Sequence, residues 1–242
     1  MRGIILSGGY GTRLRPCTNI TSKQLLPVYN RPMIYYPLNT LLKAGVKEIM
    51  IIVAPDRAGD YLNLLGSGSR FGGAKFTYEV QDKPKGLPEA FVIGENFIDD
   101  EDVVMILGDN IFEDDLSEQI RSFKSGAKVF AKQVQDPERF GVVEFDNKMK
   151  AISIEEKPDK PKSNFCITGL YIYDNRVVEV AKNLKPSQRG ETEIVDLHNW
   201  YLKQGELEVS IVAGEWIDAG TFDSLLRAQI LAKERLQQEL IF

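Results

Sequence analysis

The sequence predicts an α/β fold: an open, mixed and mostly parallel sheet with helices on both faces and a small antiparallel layer inserted in its second half. Three observations carry this. The first half alternates short, unbroken apolar runs with helical segments. The runs RGIILS, KEIMIIV and VVMIL carry apolar residues at successive positions, the mark of strands covered on both faces. The second half is richer in strands, which breaks the strict alternation.

The elements follow in order. Residues 2–7 form a first buried strand that ends at glycines. Residues 34–44 read as a helix closed by Gly45. Strand 47–53, helix 58–65 and strand 75–80 continue the pattern, then helix 87–93, strand 103–107, helix 115–124 and strand 128–133. Alternation of this kind implies parallel pairing among these five strands. Residues 141–145, 151–155 and 165–173 read as further strands, followed by helices 175–184 and 193–203 and strand 208–212. A last helix runs from 221 to about 239, with Phe222, Leu225, Leu226 and Ile230 at a helical period. The arrangement is Rossmann-like. No repeat, biased segment or Pro/Gly/Ser-rich linker divides the chain, so residues 1–242 read as one domain.

Composition narrows the function. Hydrophobic residues make up 43% and charged residues 27%, which excludes a disordered or collagen-like chain. The net charge of −5 speaks against nucleic acid or an anionic membrane as partner. Any phosphate site must therefore be a local basic cluster. No stretch approaches the roughly 18 apolar residues of a membrane helix, and the N-terminus is too short of them for a signal peptide. Cys17 and Cys166, the 2 cysteines, lie in unrelated contexts. They argue against a disulfide framework or a zinc site and fit the cytoplasm. The single histidine, His198, excludes chemistry that needs two. It is expected on the surface, or half-buried with its hydrogen bonds satisfied.

The first strand runs into Gly8-Gly9-Tyr10-Gly11-Thr12-Arg13-Leu14-Arg15-Pro16. A glycine-rich turn at that place lets backbone N–H groups approach phosphate oxygens. The dinucleotide pattern fails, because Leu14 stands where its third glycine belongs. The P-loop pattern fails too, since no Gly-Lys-Ser/Thr follows. What remains is a phosphate loop with its own cation, Arg13, and a second cation, Lys23, ten residues on. The plainer alternative is a turn with solvated side chains.

Asp109 follows the run VVMIL, at the strand end where ligands gather in open α/β sheets, and is a candidate Mg²⁺ ligand. Asp218, in Trp216-Ile217-Asp218-Ala219-Gly220-Thr221, is a second. Either residue also suits a turn or a helix cap. Lys157 can hold a phosphate and Glu156 can accept from sugar hydroxyls, although charged strand ends are commonly just solvated. Arg189-Gly190-Glu191 opens a helix with the same two readings. Gln81, after the third strand, can read a base edge through its amide.

Taken together these motifs resemble the sugar-1-phosphate nucleotidylyltransferases. Leu6-Ser7-Gly8-Gly9-x-Gly11-Thr12-Arg13-Leu14-x-Pro16, Lys23-x-Leu25-x-Pro27-Val28 and Gln81-x-x-x-x-Gly86-Leu87 fall in that family's order. So do Gly108-Asp109-Asn110, Glu156-Lys157-Pro158, Thr168-Gly169-x-Tyr171, Arg189-Gly190-Glu191 and Trp216-x-Asp218-x-Gly220-Thr221. The match runs from residue 2 to about 225, and the ordered set is far more specific than any piece. It looks most like the short members that transfer a thymidylyl group from dTTP to glucose 1-phosphate. Ser7, Tyr10 and Pro88-Glu89 depart from the usual Ala, a smaller residue and Ala-Gln.

The resemblance implies roles residue by residue. Leu6, Gly8, Gly9, Gly11, Thr12 and Arg13 would bind the nucleotide, with Arg13 and Lys23 on the leaving pyrophosphate. Gln81 and the backbone at Gly86 would read the pyrimidine. Asp109, placed with Arg13 and Lys23 among the catalytic groups, would share Mg²⁺ with Asp218. Gly141, Glu156, Lys157, Tyr171, Arg189 and Glu191 would hold the sugar phosphate, the inserted antiparallel layer being the sugar-binding side. A homo-oligomer is expected. Longer members carry extra C-terminal helices that help form a second nucleotide site. This sequence ends at Phe242, so one nucleotide site is expected, with the apolar end at 236–242 docked on the domain or a neighbour. The alternatives are UTP or another hexose 1-phosphate as substrate, or a non-catalytic nucleotide-sugar sensor.

Overall fold

The apolar runs of the first half become the centre of the sheet. The computed structural model describes residues 1–187 and 190–236. The chain begins with β1 (Arg2–Ser7), the short hairpin β2 (Pro27–Val28) and β3 (Arg31–Pro32), α1 (Tyr35–Lys43), β4 (Glu48–Val53), α2 (Ala58–Leu65) and β5 (Lys75–Val80). Next come α3 (Glu89–Ile93), α4 (Glu95–Ile98), β6 (Val103–Leu107), β7 (Asn110–Phe112), α5 (Ser117–Arg121) and β8 (Ala127–Gln133). The second half comprises β9 (Gly141–Phe145), β10 (Ala151–Glu156), β11 (Phe165–Tyr173), α6 (Val177–Lys182), α7 (Ile194–Gln204), β12 (Leu207–Ile211), β13 (Trp216–Asp218) and α8 (Phe222–Glu234).

One nine-stranded sheet has the path β10-β9-β11-β6-β1-β4-β5, with β8 also on β11 and β12 on β8. β1 lies between β4 and β6 and is parallel to both. The chain leaves β1 towards β4 and β5, then returns to β6 on the other side. That reversal opens a crevice at the carboxyl ends of β1 and β6, where open α/β sheets bind ligands.

The expected parallel pairing stops before β8. β8 runs antiparallel to β11 and parallel only to β12. β11 is nine residues long and serves β6, β8 and β9 along its length, so its direction overrides the local alternation. The pairing of β11 with β8 breaks between Ile167 and Tyr171. A break of this kind bends a strand and re-aims its side chains; here it brings Thr168 and Gly169 to the crevice. The antiparallel hairpin β9–β10 forms the predicted inserted layer, Glu156 opposite Gly141. β7 and β13, three residues each, pair antiparallel with Asp218 opposite Asn110. They are too short to show a period in the sequence.

Successive residues of the central strands point to opposite faces. Ile4, Met50, Ile52 and Met105 join one core with Phe91, Ile98, Val177 and Leu197 from α3, α4, α6 and α7. Ile5, Ile49, Ile51 and Ile106 join another with Leu38, Tyr61 and Ile120 from α1, α2 and α5. Each fully buried aliphatic side chain contributes about 1.5–3 kcal/mol. A third cluster fixes α8 through Ala228, Leu231 and Ala232 against Val28, Met33 and Ile217. Leu236 is buried there, as the apolar end predicts; residues 237–242 lie outside the described residues. α1 ends as predicted: Gly45 takes φ +85°, its N–H reaches Leu42 O, and Val46 N–H reaches Leu41 O. Among the described residues no helix is long and apolar enough to cross a membrane.

Candidate active site

The crevice is a cleft of about 460 Å³. Leu6 lines it from the end of β1, Gly9, Arg13 and Lys23 from the segment that follows, Gln81 and Gly86 from the segment after β5, and Leu107 and Asp109 from the end of β6. Gly141, Glu156, Lys157, Tyr171 and Glu191 line the side built by β9–β11 and the loop before α7, and Asp218 closes it from β13. Residues scattered across the sequence thus meet in one place. Gly8, Gly11 and Thr12 do not line the cleft; they shape the loop behind it. Gly11 takes φ +61°, and its carbonyl accepts from Thr18 Oγ1 at 2.8 Å. Arg189 lies outside the described residues.

Arg13, Lys23, Asp109 and Asp218 act on one another at one end. Lys23 Nζ donates to Asp109 Oδ2 in a short ion pair. Burial works against the Lys23 ammonium, but the Asp109 carboxylate outweighs it and leaves the pKa raised. At Asp109 burial pushes the pKa up instead; Lys23 outweighs it and holds the carboxyl below its usual range. Asp218 goes the other way. Burial, and then repulsion from Asp109, push it up to about 6, against the pull of Lys23 and Arg13. Its Oδ1 is shielded from solvent and has no hydrogen-bond partner among the described residues. A β-carbon on Gly220 would lie 2.6 Å from Arg13 Nη2 and 2.9 Å from Asp218 Oδ1, so the guanidinium and the carboxylate share the space above that glycine.

Two close carboxylates, one with an unpartnered buried oxygen, fit a divalent cation. Mg²⁺ sites that handle phosphates commonly use one or two carboxylates and complete their shell with phosphate oxygens and water. Among the described residues no set of three or more His, Cys, Asp or Glu side chains forms a protein cage.

Residues 2–235 match the family model described as nucleotidyl transferase. The chain belongs to the nucleotidyl transferase family. It is 53% identical over 234 residues to a glucose-1-phosphate thymidylyltransferase of Neisseria meningitidis, covering 94% of this chain and 81% of the relative. It is 51% identical over 233 residues to that of Mycobacterium tuberculosis, with the same coverage. A crystal structure from Bacillus anthracis, described as a glucose-1-phosphate thymidylyltransferase in complex with sucrose, superposes with a TM-score of 0.92 at 49% identity. That superposition covers 97% of this chain and 96% of the other. A UDP-glucose pyrophosphorylase complexed with UDP-glucose shares the fold at 24% identity, with a TM-score of 0.84 and coverage of 96% and 98%.

Several residues of this family member's cleft take roles that the sequence does not reveal, Asn110 among them although it stands in the motif Gly108-Asp109-Asn110. Asn110 ties β7 to β11 and β13: its Oδ1 accepts from Gly169 N at 2.9 Å and from Trp216 Nε1 at 2.6 Å. Gln24 is buried beside Lys23 and accepts from Tyr61 Oη at 3.1 Å. Arg139 and Thr192 also line the cleft. His198 corrects an expectation. It is 0% exposed, lies 5.3 Å from the Tyr171 ring and 6.1 Å from that of Tyr173, and both its nitrogens are unpartnered among the described residues. Burial lowers its pKa to about 3, so it is a neutral wall of the cleft. α7 carries it on its inner face, and packing against β11 leaves it without a hydrogen-bond partner among the described residues. Cys166 is buried, and burial pushes its thiol up to about 12, in line with an inert cysteine.

Proposed function

We propose that the chain transfers a thymidylyl group from dTTP to glucose 1-phosphate, giving dTDP-glucose and pyrophosphate. One observation carries the reading: a chain 53% identical to a glucose-1-phosphate thymidylyltransferase gathers Arg13, Lys23, Asp109 and Asp218 at one end of its cleft. The other end presents Glu156, Lys157, Tyr171 and Glu191, which suit a sugar phosphate. The strands of both halves join one sheet, which supports reading the chain as one domain.

The nucleophile needs no base. A phosphate monoester is mostly dianionic at pH 7, its second pKa being near 6. The phosphate oxygen of glucose 1-phosphate attacks the α-phosphorus in line with the departing pyrophosphate. The chain's work is positioning and neutralisation of charge. Arg13 and Lys23 face the leaving group, where negative charge grows. Lys157, paired with Glu156 at 3.4 Å, faces the sugar phosphate. Gln81 and the backbone at Gly86 hold the base, while Tyr171 and Glu191 border the hexose. Asp109 and Asp218 would hold Mg²⁺, which when bound draws negative charge from the phosphate oxygens and so favours attack at phosphorus.

Pyrophosphate release tests the reading, with glucose 1-phosphate against dTTP, UTP, ATP and dCTP. A pocket recognises one methyl group by about 1–3 kcal/mol. The expected order is therefore dTTP first and UTP detectable, with purines poor. No release with any pyrimidine triphosphate, or equal use of ATP and dTTP, refutes the reading.

A further inference from the structure

Glu89 fixes the orientation of the side chain assigned to the base, and we infer that it thereby decides which pyrimidine the cleft accepts. The inference rests on the nucleotide half of the proposed function. Gln81 is 4% exposed. Its Nε2 donates to Glu89 Oε2 at 2.7 Å. Its Oε1 lies on the other side, against the glycine loop, where a β-carbon on Gly8 would meet it at 2.5 Å. Glu89 is itself held from the segment between β5 and α3. The backbone N–H of Lys85 donates to its Oε2 at 3.1 Å, and Lys85 Nζ lies 3.3 Å from its Oε1.

A carboxylate accepts hydrogen bonds and does not donate them, so the amide nitrogen must face Glu89 and the amide oxygen must face away. A glutamine without such a neighbour turns either way. An amide presents one donor and one acceptor in a set order. The edge shared by thymine and uracil presents N3–H beside the acceptor O4. Cytosine presents the acceptor N3 beside a 4-amino donor, the reverse order. The orientation that pairs with one edge sets donor against donor and acceptor against acceptor on the other. Turning Gln81 to suit cytosine breaks its bond to Glu89 and brings two acceptor oxygens together. Glu89 therefore rejects cytosine without touching the base, as a positioning residue.

The test replaces the one-way partner with a two-way partner. Glu89→Gln keeps the shape, but the oxygen that meets Gln81 also accepts from Lys85 N–H, so its amide can turn a nitrogen to Gln81 only by giving up that bond, and the constraint on Gln81 is weakened rather than removed. Glu89→Ala removes the partner. For wild type and both variants, kcat/KM by pyrophosphate release with dTTP, UTP and dCTP is compared with calorimetric binding of each nucleotide alone. The expected result is a fall of about tenfold or more in the dTTP:dCTP ratio for Glu89→Ala, in turnover and in binding, as one lost discriminating hydrogen bond implies, and a smaller fall for Glu89→Gln. The dTTP:UTP ratio stays put, because those bases share the edge. A purely structural role would weaken all three nucleotides alike. That outcome, or an unchanged dTTP:dCTP ratio in both variants, overturns the inference while leaving the proposed function standing. A wild type that neither binds nor uses dTTP or UTP overturns both.

Discussion

At Asp218 stability and function pull apart. Its folded pKa of about 6 lies above the usual carboxyl value, so between about pH 4 and 6 the folded chain holds a proton that the unfolded chain has lost. The contribution to stability is whole below that window and is lost as pH rises through it. Asp218→Asn removes the buried charge, and without metal it should stabilise the protein by on the order of 2 kcal/mol at pH 8 and little at pH 4. Thermal melts in a chelator at both pH values check this; an equal effect at the two contradicts the assignment. Added Mg²⁺ should raise the midpoint of the wild type more than that of the variant. Two further substitutions separate the ligands. Arg13→Ala should lower kcat more than it raises the KM for glucose 1-phosphate, because its charge acts where the transition state gains charge. Lys157→Ala should mainly raise that KM. Steady-state kinetics on both variants decide this, and interchanged phenotypes mean the two anions lie the other way round.

Two elements are set by a few atoms at their ends. α8 starts with a capping box: Thr221 Oγ1 accepts from Ser224 N at 3.3 Å, and Ser224 Oγ accepts from Thr221 N at 3.0 Å. Thr221→Ala should cost about 1 kcal/mol and lower the melting midpoint by about 2–4 °C, read by calorimetry. The segment before α3 is fixed by a bridge from Gly86 to Thr192, with Thr192 N–H donating to Lys85 O at 2.8 Å. Gly86 takes φ +113°, and a β-carbon there would lie 2.0 Å from Thr192 O. Gly86→Ala must therefore pull the two loops apart. The expected result is a KM for dTTP raised about tenfold or more, with a smaller rise for glucose 1-phosphate; equal rises would place Gly86 outside the nucleotide side.

Over the whole molecule, a chain of net charge −5 concentrates Arg13 and Lys23 at the end of a crevice that must take two anions. Attraction between these cations and polyphosphate is screened by salt, least where the groups are most buried. From about 0.05 to 0.5 M salt, kcat/KM for both substrates should fall several-fold through KM, with kcat nearly constant. A kcat that falls in parallel would mean that salt disturbs the assembled cluster rather than the approach of the substrates.

The sequence by itself determined the central sheet, because apolar runs such as GIILS and VVMIL must be covered on both faces. It also pointed to several of the cleft's charged groups: Asp109 follows Gly108 at a strand end, Asp218 follows a short apolar segment, and Arg13 and Lys23 follow the glycine-rich turn after the first strand. What only the tertiary structure decided is what depends on partners far away along the chain. The direction of β8 is set by β11, not by the helix before it. The strands β7 and β13 exist only as a pair, and that pair brings Asp218 to Asp109 and lets Asn110 reach Gly169 and Trp216. His198, packed against two tyrosines of one strand, has no hydrogen-bond partner among the described residues. Glu89 stands in the sequence only as part of the departure Pro88-Glu89 from the family's usual Ala-Gln; its bond with Gln81 comes with the fold. Periodicity and turn chemistry are local and can be read in order; pairing, desolvation and the orientation of an amide belong to contacts between distant segments, which form only when the chain closes on itself.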